Sequence, residues 1–318
     1  METRRRLVEG HRAAMPRLLG PDPVLPVVFT LQQARAAGLT TDQVRYRVAR
    51  GHWTRLSRDT YRRTDWLPDG LDRFAEARLD HVHRAVAAVR RNPGSVIGYA
   101  SATAIHGLPL INGLPEEVTL VVPPGAWTGT RHGIRFRQGV LVEGDVSGAS
   151  VAVTSPERTW LDMARTAPLA DSLALGDAGL RMGALDRQRL ADRVEASRGS
   201  RGCRRAATAL AHLDPARETP LESDSWAYFL QHRVPLPEMQ VELRSGSGRF
   251  IARVDFWWRR ARLVGECDGR LKYRTPEDVY AEKRREDDIR ELGCGVVRWG
   301  AGDLRGPQLA ARLRRALA

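Results

Sequence analysis

At 318 residues, with 42% hydrophobic and 28% charged side chains, the chain is long enough for two or three domains and too apolar for a disordered one. No run of about 18 apolar residues exists to cross a membrane, and the opening Met-Glu-Thr-Arg-Arg-Arg lacks the apolar core of a signal peptide. A cytoplasmic location with no membrane partner is expected. The formal charge of +13 is uneven: residues 1–63 hold 13 arginines against 5 acids, whereas residues 216–318 hold 20 basic against 16 acidic residues. The positive field therefore concentrates at the N-terminus, as a nucleic-acid contact needs. Three cysteines, Cys203, Cys267 and Cys294, with no Cys-x-x-Cys, argue against a disulfide framework or a structural zinc site. Cys267 and Cys294 read as buried core thiols.

Residues 1–26 read as a short helix and a proline-rich linker from Pro21 to Pro26. Thr30 caps a helix through Ala37, Gly38-Leu39 makes a turn, and Thr40 caps a second helix from Thr41 to Arg50 that Gly51 stops. Two short helices around such a turn form a helix-turn-helix pattern, whose second helix enters the major groove. Val44 and Val48, four apart, face inward. Gln43, Arg45, Tyr46, Arg47 and Arg50 are then the candidate DNA contacts. His52 to Arg62 alternates like a two-stranded wing, which adds Arg55 and Arg58. The arrangement resembles the N-terminal winged helix of AbiEi-type antitoxins. That resemblance implies binding to DNA, the chain's own operator or a cognate toxin; a winged helix used for protein contacts is the alternative.

Residues 64–215 read as a mixed α/β region. Leu71–Val89 and Ser101–His106 look helical, and Val118–Val122 and Gly133–Arg137 look like strands. Ser155-Pro156-Glu157 opens a helix with a cap, a proline at the first position and an early acid. Its Arg158–Asp162 stretch resembles the middle segment of AbiEi-like proteins. Asp80-His-Val-His83 invites a metal, but histidines two apart on a helix diverge, so a solvated helix is expected. Asp162 and Asp177 read as structural. Arg198–Arg205, with Gly199 and Gly202 inside it, reads as a boundary linker, or alternatively as a phosphate-contacting patch.

In residues 216–318, Thr219-Pro-Leu-Glu222 is a capping box, and Trp226, Phe229 and Leu230 give its helix a buried stripe. Gln240–Leu243 reads as a first strand, with Gln240 near the edge of a site. Arg253–Trp258 and Arg262–Gly269 read as a β-hairpin. With the turn centred between Arg260 and Ala261, Asp255 stands opposite Glu266, and the pleat returns Asp268 to the face of Glu266. Three carboxylates there repel one another unless a cation joins them, and hard oxygen ligands suit Mg²⁺ or Mn²⁺. Only two of the 51 basic residues are lysines, Lys272 and Lys283, both close behind the hairpin. A compact ammonium of shiftable pKa is what arginine cannot supply. The following helix, Thr275 to Leu292, places Glu282 and Glu286 between Val279 and Ile289 on its core-facing stripe, as an ion-pair network or a site wall. A strand at Gly295–Trp299 and a helix from Pro307 complete the segment.

Asp255, Glu266-x-Asp268-Gly269, the charged helix and the Gly293–Arg298 strand resemble the nuclease-like domain related to very-short-patch repair endonucleases, within the PD-(D/E)XK, or restriction-endonuclease-like, superfamily. The resemblance implies hydrolysis of DNA phosphodiesters. Asp255, Glu266 and Asp268 would bind Mg²⁺ or Mn²⁺, Lys272 or Lys283 would act at the phosphate, and Glu222 would point toward the metal. The superfamily's usual lysine two residues after the glutamate is Asp268 here. Either one of the two lysines replaces it, or the domain binds without cutting. The expected fold is an α+β multidomain: a basic extension and winged helix-turn-helix (1–63), a mixed α/β region (64–215) and a restriction-endonuclease-like α/β core with a mixed sheet (216–318). Two functions follow. One is a metal-dependent endonuclease; the other is a non-catalytic transcriptional autoregulator or antitoxin of a type IV toxin-antitoxin-like system that uses the nuclease fold as a binding platform.

Overall fold

The computed structural model describes residues 24–64, 71–148, 151–268 and 276–318, except for the side chains of 276–279, 281 and 282. Lys272, the Thr275 cap, the side chains of Val279 and Glu282, and the helix expected before residue 24 lie outside the described residues. The chain divides into two units. One comprises residues 1–105 and 114–154, and the other residues 106–113 and 155–318.

The first unit opens with β1 (Val28–Thr30), α1 (Leu31–Ala36), α2 (Thr41–Ala49), β2 (Trp53–Ser57) and β3 (Thr60–Arg63). Both helices start where the sequence places them. Thr30 and Thr40 each accept the backbone N–H three residues on, while Gln33 and Gln43 reach back to the cap amide, two complete capping boxes. The wing forms an antiparallel sheet ordered β1-β3-β2. Phe29, Trp53 and Tyr61 fill its core, with the Phe29 and Trp53 rings 4.7 Å apart, edge to face.

α3 (Arg73–Arg91), capped by Asp72, leads to a six-stranded mixed sheet ordered β6-β7-β5-β4-β9-β8. Its strands are β4 (Val96–Ile97), β5 (Val118–Val122), β6 (Gly129–Arg131), β7 (Ile134–Gln138), β8 (Val146–Ser147) and β9 (Val153–Thr154); α4 (Tyr99–His106) follows β4. β5 is buried at every position, and α3 packs on the sheet through Ala85, Ala88 and Val89. The solvated helix expected around His81 and His83 is not what forms. Both imidazoles are buried, on different sides of α3: His81 Nε2 lies 2.8 Å from Ser101 Oγ, and His83 sits near Arg62 of β3.

The second unit holds a helical bundle: α5 (Pro156–Thr166), α6 (Leu169–Arg181), α7 (Arg187–Ala196) and α8 (Cys203–Ala211). Arg198–Arg205 is therefore no domain boundary, since it turns α7 into α8 and Arg205 itself belongs to α8. The run α9 (Pro220–Gln231), β10 (Glu238–Arg244), β11 (Phe250–Trp258), β12 (Leu263–Cys267), α10 (Pro276–Glu291), β13 (Gly295–Trp299) and α11 (Gln308–Leu317) follows. Its sheet is ordered β10-β11-β12-β13, with β12 and β13 parallel across the α10 crossover. The mixed sheet expected of this segment is present. Phe256, Trp258 and Trp299 pack with Phe229 of α9 and Leu309 of α11 on one face, while Val254, Trp257 and Val264 pack with Ile289 of α10 on the other.

A buried ion pair joins bundle and sheet. Arg217 donates to both oxygens of Asp177 on α6, at 2.6 and 3.0 Å, and each side chain is 1% exposed. Ser223 of α9 donates to the same carboxylate at 2.7 Å, and so does the Asp214 amide. Burial pushes the Asp177 carboxyl above its ordinary value, and these donors pull it back.

Two outcomes follow from this packing. Arg217→Met strands a buried carboxylate and should cost about 3 to 5 kcal/mol in urea denaturation, much more than Asp177→Asn combined with Arg217→Met; an unmoved midpoint would show that the pair adds no net stability. Burial, aided by Arg84, lowers His81 to about 4 from 6.5. The folded value lies below the unfolded one, so the stability contributed by the neutral ring is full above about pH 6.5 and is lost as pH falls toward 4. His81→Phe should flatten the denaturation midpoint across that window.

Candidate nucleic-acid interface and carboxylate cluster

On α2, Arg45 and Arg50 are exposed, Arg50 lying over the Tyr46 ring at 5.4 Å; Asp42 is 3.4 Å from Arg45 in a pair that water screens. Arg58 at the wing tip is exposed. Three of the proposed contacts have other duties. Arg47 is 2% exposed and its guanidinium lies over Trp53 at 5.1 Å, so it belongs to the core of the winged helix rather than to the groove-facing side. Gln43 closes the capping box, and Arg55 donates to the carbonyls of Ser57 and Arg58, shaping the wing turn. The face presented outward is Arg45, Tyr46, Arg50 and Arg58. The helical spacing of Arg47 from Val44 was the available signal that it points inward.

In the second unit the hairpin register is as expected from the turn. Phe256 pairs with Gly265, Trp257 with Val264 and Trp258 with Leu263, and this register continued puts Asp255 opposite Glu266. Gly265 must be glycine, since an added Cβ would lie 2.7 Å from the Trp299 ring and 2.8 Å from the Trp258 ring. Glu266 and Asp268 come together as the pleat predicts, both within reach of Arg298, at 3.3 and 3.6 Å. Glu266 has the parity of Val264 on β12 and faces α10, and Arg298 has the parity of Val296 on β13. Glu266 is 3% exposed. Arg285 of α10 donates to its Oε1 at 2.6 Å and to its Oε2 at 3.3 Å, and Arg298 approaches Oε2 at 3.3 Å. Arg298 also lies 3.6 Å from Asp268 and 3.2 Å from Glu286, itself paired with Arg290.

Glu222 comes from α9. Its oxygens accept from the Thr219 hydroxyl at 2.8 Å, the Glu218 amide at 2.9 Å and Gln240 Nε2 at 3.0 Å. Burial, with nearby Asp255 adding to it, raises its carboxyl above the usual range. Asp255 Oδ2 accepts the Cys267 amide at 3.2 Å. Gln240, inside β10, has φ 52°, a strained value for a residue other than glycine. Lys283 is exposed on α10.

A hard divalent cation needs carboxylate oxygens free to point at it. Glu266 gives its oxygens to two guanidinium groups instead, and among the described residues no group of three or more His, Cys, Asp or Glu is arranged to hold a metal ion. The described residues, as folded, do not fit Mg²⁺ or Mn²⁺. Reasoning from the sequence placed the carboxylates by register but missed Arg285 and Arg298. The charged stripe on α10 was the signal, because charges against a core face demand partners.

Residues 26–64 match the family described as transcriptional regulator, AbiEi antitoxin, and residues 95–212 match the AbiEi antitoxin C-terminal domain. The second match takes in the strands of the first unit and the helical bundle of the second. An uncharacterized protein of Mycobacterium tuberculosis strain H37Rv, Rv2248, is 28% identical over 281 residues, covering 88% of this chain and 97% of that protein. Its counterpart in strain CDC 1551, the uncharacterized protein MT2308, gives the same values. The crystal structure of the RV2827C protein from M. tuberculosis, at 17% identity, superposes with a TM-score of 0.37 over 69% of this chain and 84% of that one. Among the described residues no helix is long and apolar enough to cross a membrane.

The ion pair at Glu266 is measurable. A double-mutant cycle of Glu266→Gln and Arg285→Ala should return a coupling of about 1 to 3 kcal/mol in denaturation. A coupling near zero would mean that the two side chains do not meet in solution.

Proposed function

We propose that the protein is a DNA-binding transcriptional autoregulator of the antitoxin class, in which α2 and the wing read an operator and the restriction-endonuclease-like core serves as a non-cutting platform. The observation that carries this reading is the outward row Arg45, Tyr46, Arg50 and Arg58 on a winged helix whose residues match an AbiEi transcriptional regulator. The engaged Glu266 supports the second half. A carboxylate held by Arg285 and Arg298 must shed both before it can ligate a cation. The AbiEi matches also support a cognate toxin as protein partner.

Metal-dependent DNA hydrolysis is the second reading. It is favoured by Glu222, Asp255 and the strained Gln240, which meet where the superfamily keeps its site; Lys283 or Lys272 would have to supply the missing lysine.

Gel-shift titration with the DNA upstream of the chain's own gene tests the first reading. Binding should weaken steeply with salt, and each of Arg45→Ala, Arg50→Ala and Arg58→Ala should lower the slope of log K against log [salt] by about 1. Unchanged binding in all three variants would refute the assigned face. Supercoiled plasmid with Mg²⁺ or Mn²⁺ decides the second. The platform reading expects no nicking, and nicking that EDTA and Glu266→Ala both abolish would replace it with the nuclease.

A further inference from the structure

The first unit encloses a cavity of about 590 Å³ that none of the above uses. One wall is the wing, at Leu56, Ser57 and Arg58; the second is α3, at Arg84, Ala88, Arg91 and Asn92; the third is β5 with the β6–β7 hairpin. Its volume is in the range of small-molecule sites, commonly about 300 to 1,000 Å³. Its chemistry is one-sided: four arginines and His132 line it, and among the described residues no carboxylate does.

Arg84 is already committed, to Asp80 at 2.9 Å and to the Glu116 carbonyl at 2.6 Å. Arg58, Arg91 and Arg131 are exposed, and among the described residues none of them is paired with an acid. Arg91 is held by a neutral partner, donating to Ser57 Oγ at 3.0 Å, which aims it along the wing. Arg131 lies over the Trp127 and Phe136 rings at 5.1 and 5.3 Å, which orients the guanidinium without neutralising it. Three like charges facing one concavity repel, and nothing in the fold requires them there.

The hairpin adds a second observation. His132 and Gly133 form its two-residue turn, with φ of 51° and 71° between the closing pair Arg131 and Ile134. Asparagine or aspartate is the usual choice before the glycine of such a turn, because each tolerates left-handed backbone. Here a strained histidine takes that place and lines the cavity. Between the cationic walls, Ala88, Val118, Ile134 and Phe136 supply an apolar floor.

We propose that this cavity is a phosphate-ester site, seating the phosphate on Arg58, Arg91, Arg131 and His132 and an organic body of nucleoside size on the apolar floor. Planar guanidinium groups suit phosphate oxygens in paired hydrogen bonds. Because the wing forms one wall, an occupant ties the wing to the body behind it. The site stands apart from the question of whether the second unit cuts DNA.

Two sources can present the same chemistry: a free nucleotide, or a backbone phosphate of DNA lying along the wing. Isothermal titration of the full chain, in phosphate-free buffer at low salt, separates them with ADP, adenosine, inorganic phosphate and a short duplex of unrelated sequence as probes. ADP should bind one per chain, adenosine should not, and Arg91→Ala with Arg131→Ala should weaken ADP by about ten-fold or more while Arg45→Ala leaves it unchanged. If ADP gives no heat but the double variant weakens the duplex by that factor, the phosphate is the DNA's. ADP and adenosine binding alike, or neither ADP nor duplex responding to the double variant, overturns the site. Both arginines are exposed, so their loss should not unfold the chain; Arg131→Lys, which keeps the charge, should retain part of the affinity and guards against a folding artefact.

Discussion

A carboxylate withdrawn from water must be met by a cation and by donors for its remaining lone pairs, and this requirement organises the second unit. Asp177 is placed by α6, in the segment that matches the AbiEi C-terminal domain, whereas Arg217 and Ser223 come from the start of the C-terminal core. The Arg217 guanidinium is satisfied in turn by the His212 carbonyl. One charge pair thus fixes where α9 begins, and α9 carries Phe229 into the aromatic cluster of the sheet. The bundle and the four-stranded sheet are therefore tied together through α9.

The same physics recurs at Glu266. A buried glutamate on a central strand has two ways to be tolerated, a bound cation or a fixed guanidinium. Here α10 brings Arg285 and β13 brings Arg298 to it, and Arg298 goes on to Glu286 and Asp268. The excess of acid at the end of the sheet is balanced by arginine, in a chain with 51 basic residues of which all but two are arginine. The composition that makes the winged helix a candidate for DNA also supplies the counter-charges that occupy the carboxylate site.

How much of this was legible in the sequence depends on whether a feature is local. The capping boxes at Thr30 and Thr40, the cap at Thr219 and the proline-led helix at Pro156 lie where the sequence indicates, because caps are decided by residues within one turn. The hairpin register followed from the turn at Arg260-Ala261. The errors concern residues whose partners are distant in the chain. Arg47 looked like a groove contact until Trp53 was seen beneath it, and His81 looked solvated until Ser101 met it, 20 residues away. Arg198–Arg205 looked like a linker because glycine and arginine mark turns as well as boundaries, and only the packing of α8 on the bundle tells these apart. The two-residue strands β4, β8 and β9 left no periodic signal, since alternation cannot be read over two positions.

Backbone strain separates Gln240 from the ordinary turns. Among the described residues five other than glycine have positive φ: Tyr99, His132, Arg233, Gln240 and Arg262. Tyr99 opens α4, Arg233 follows the end of α9, Arg262 lies in the hairpin turn and His132 in the two-residue turn, so the chain reverses or changes element at each. Gln240 is different. It sits inside β10, across from Asp255 by the register that pairs Met239 with Phe256 and Val241 with Val254. Its side chain donates to Glu222, the carboxylate that burial and Asp255 both disfavour as an anion. The strain persists because Glu222 gains a donor there, and the buried Glu222 needs one. The geometry around Glu222 and Asp255 is thus maintained by interactions that do not involve Glu266. The arginine clamp and the strained corner are separable, which is why only the loss of both Arg285 and Arg298 would free Glu266 while leaving the Glu222 corner in place.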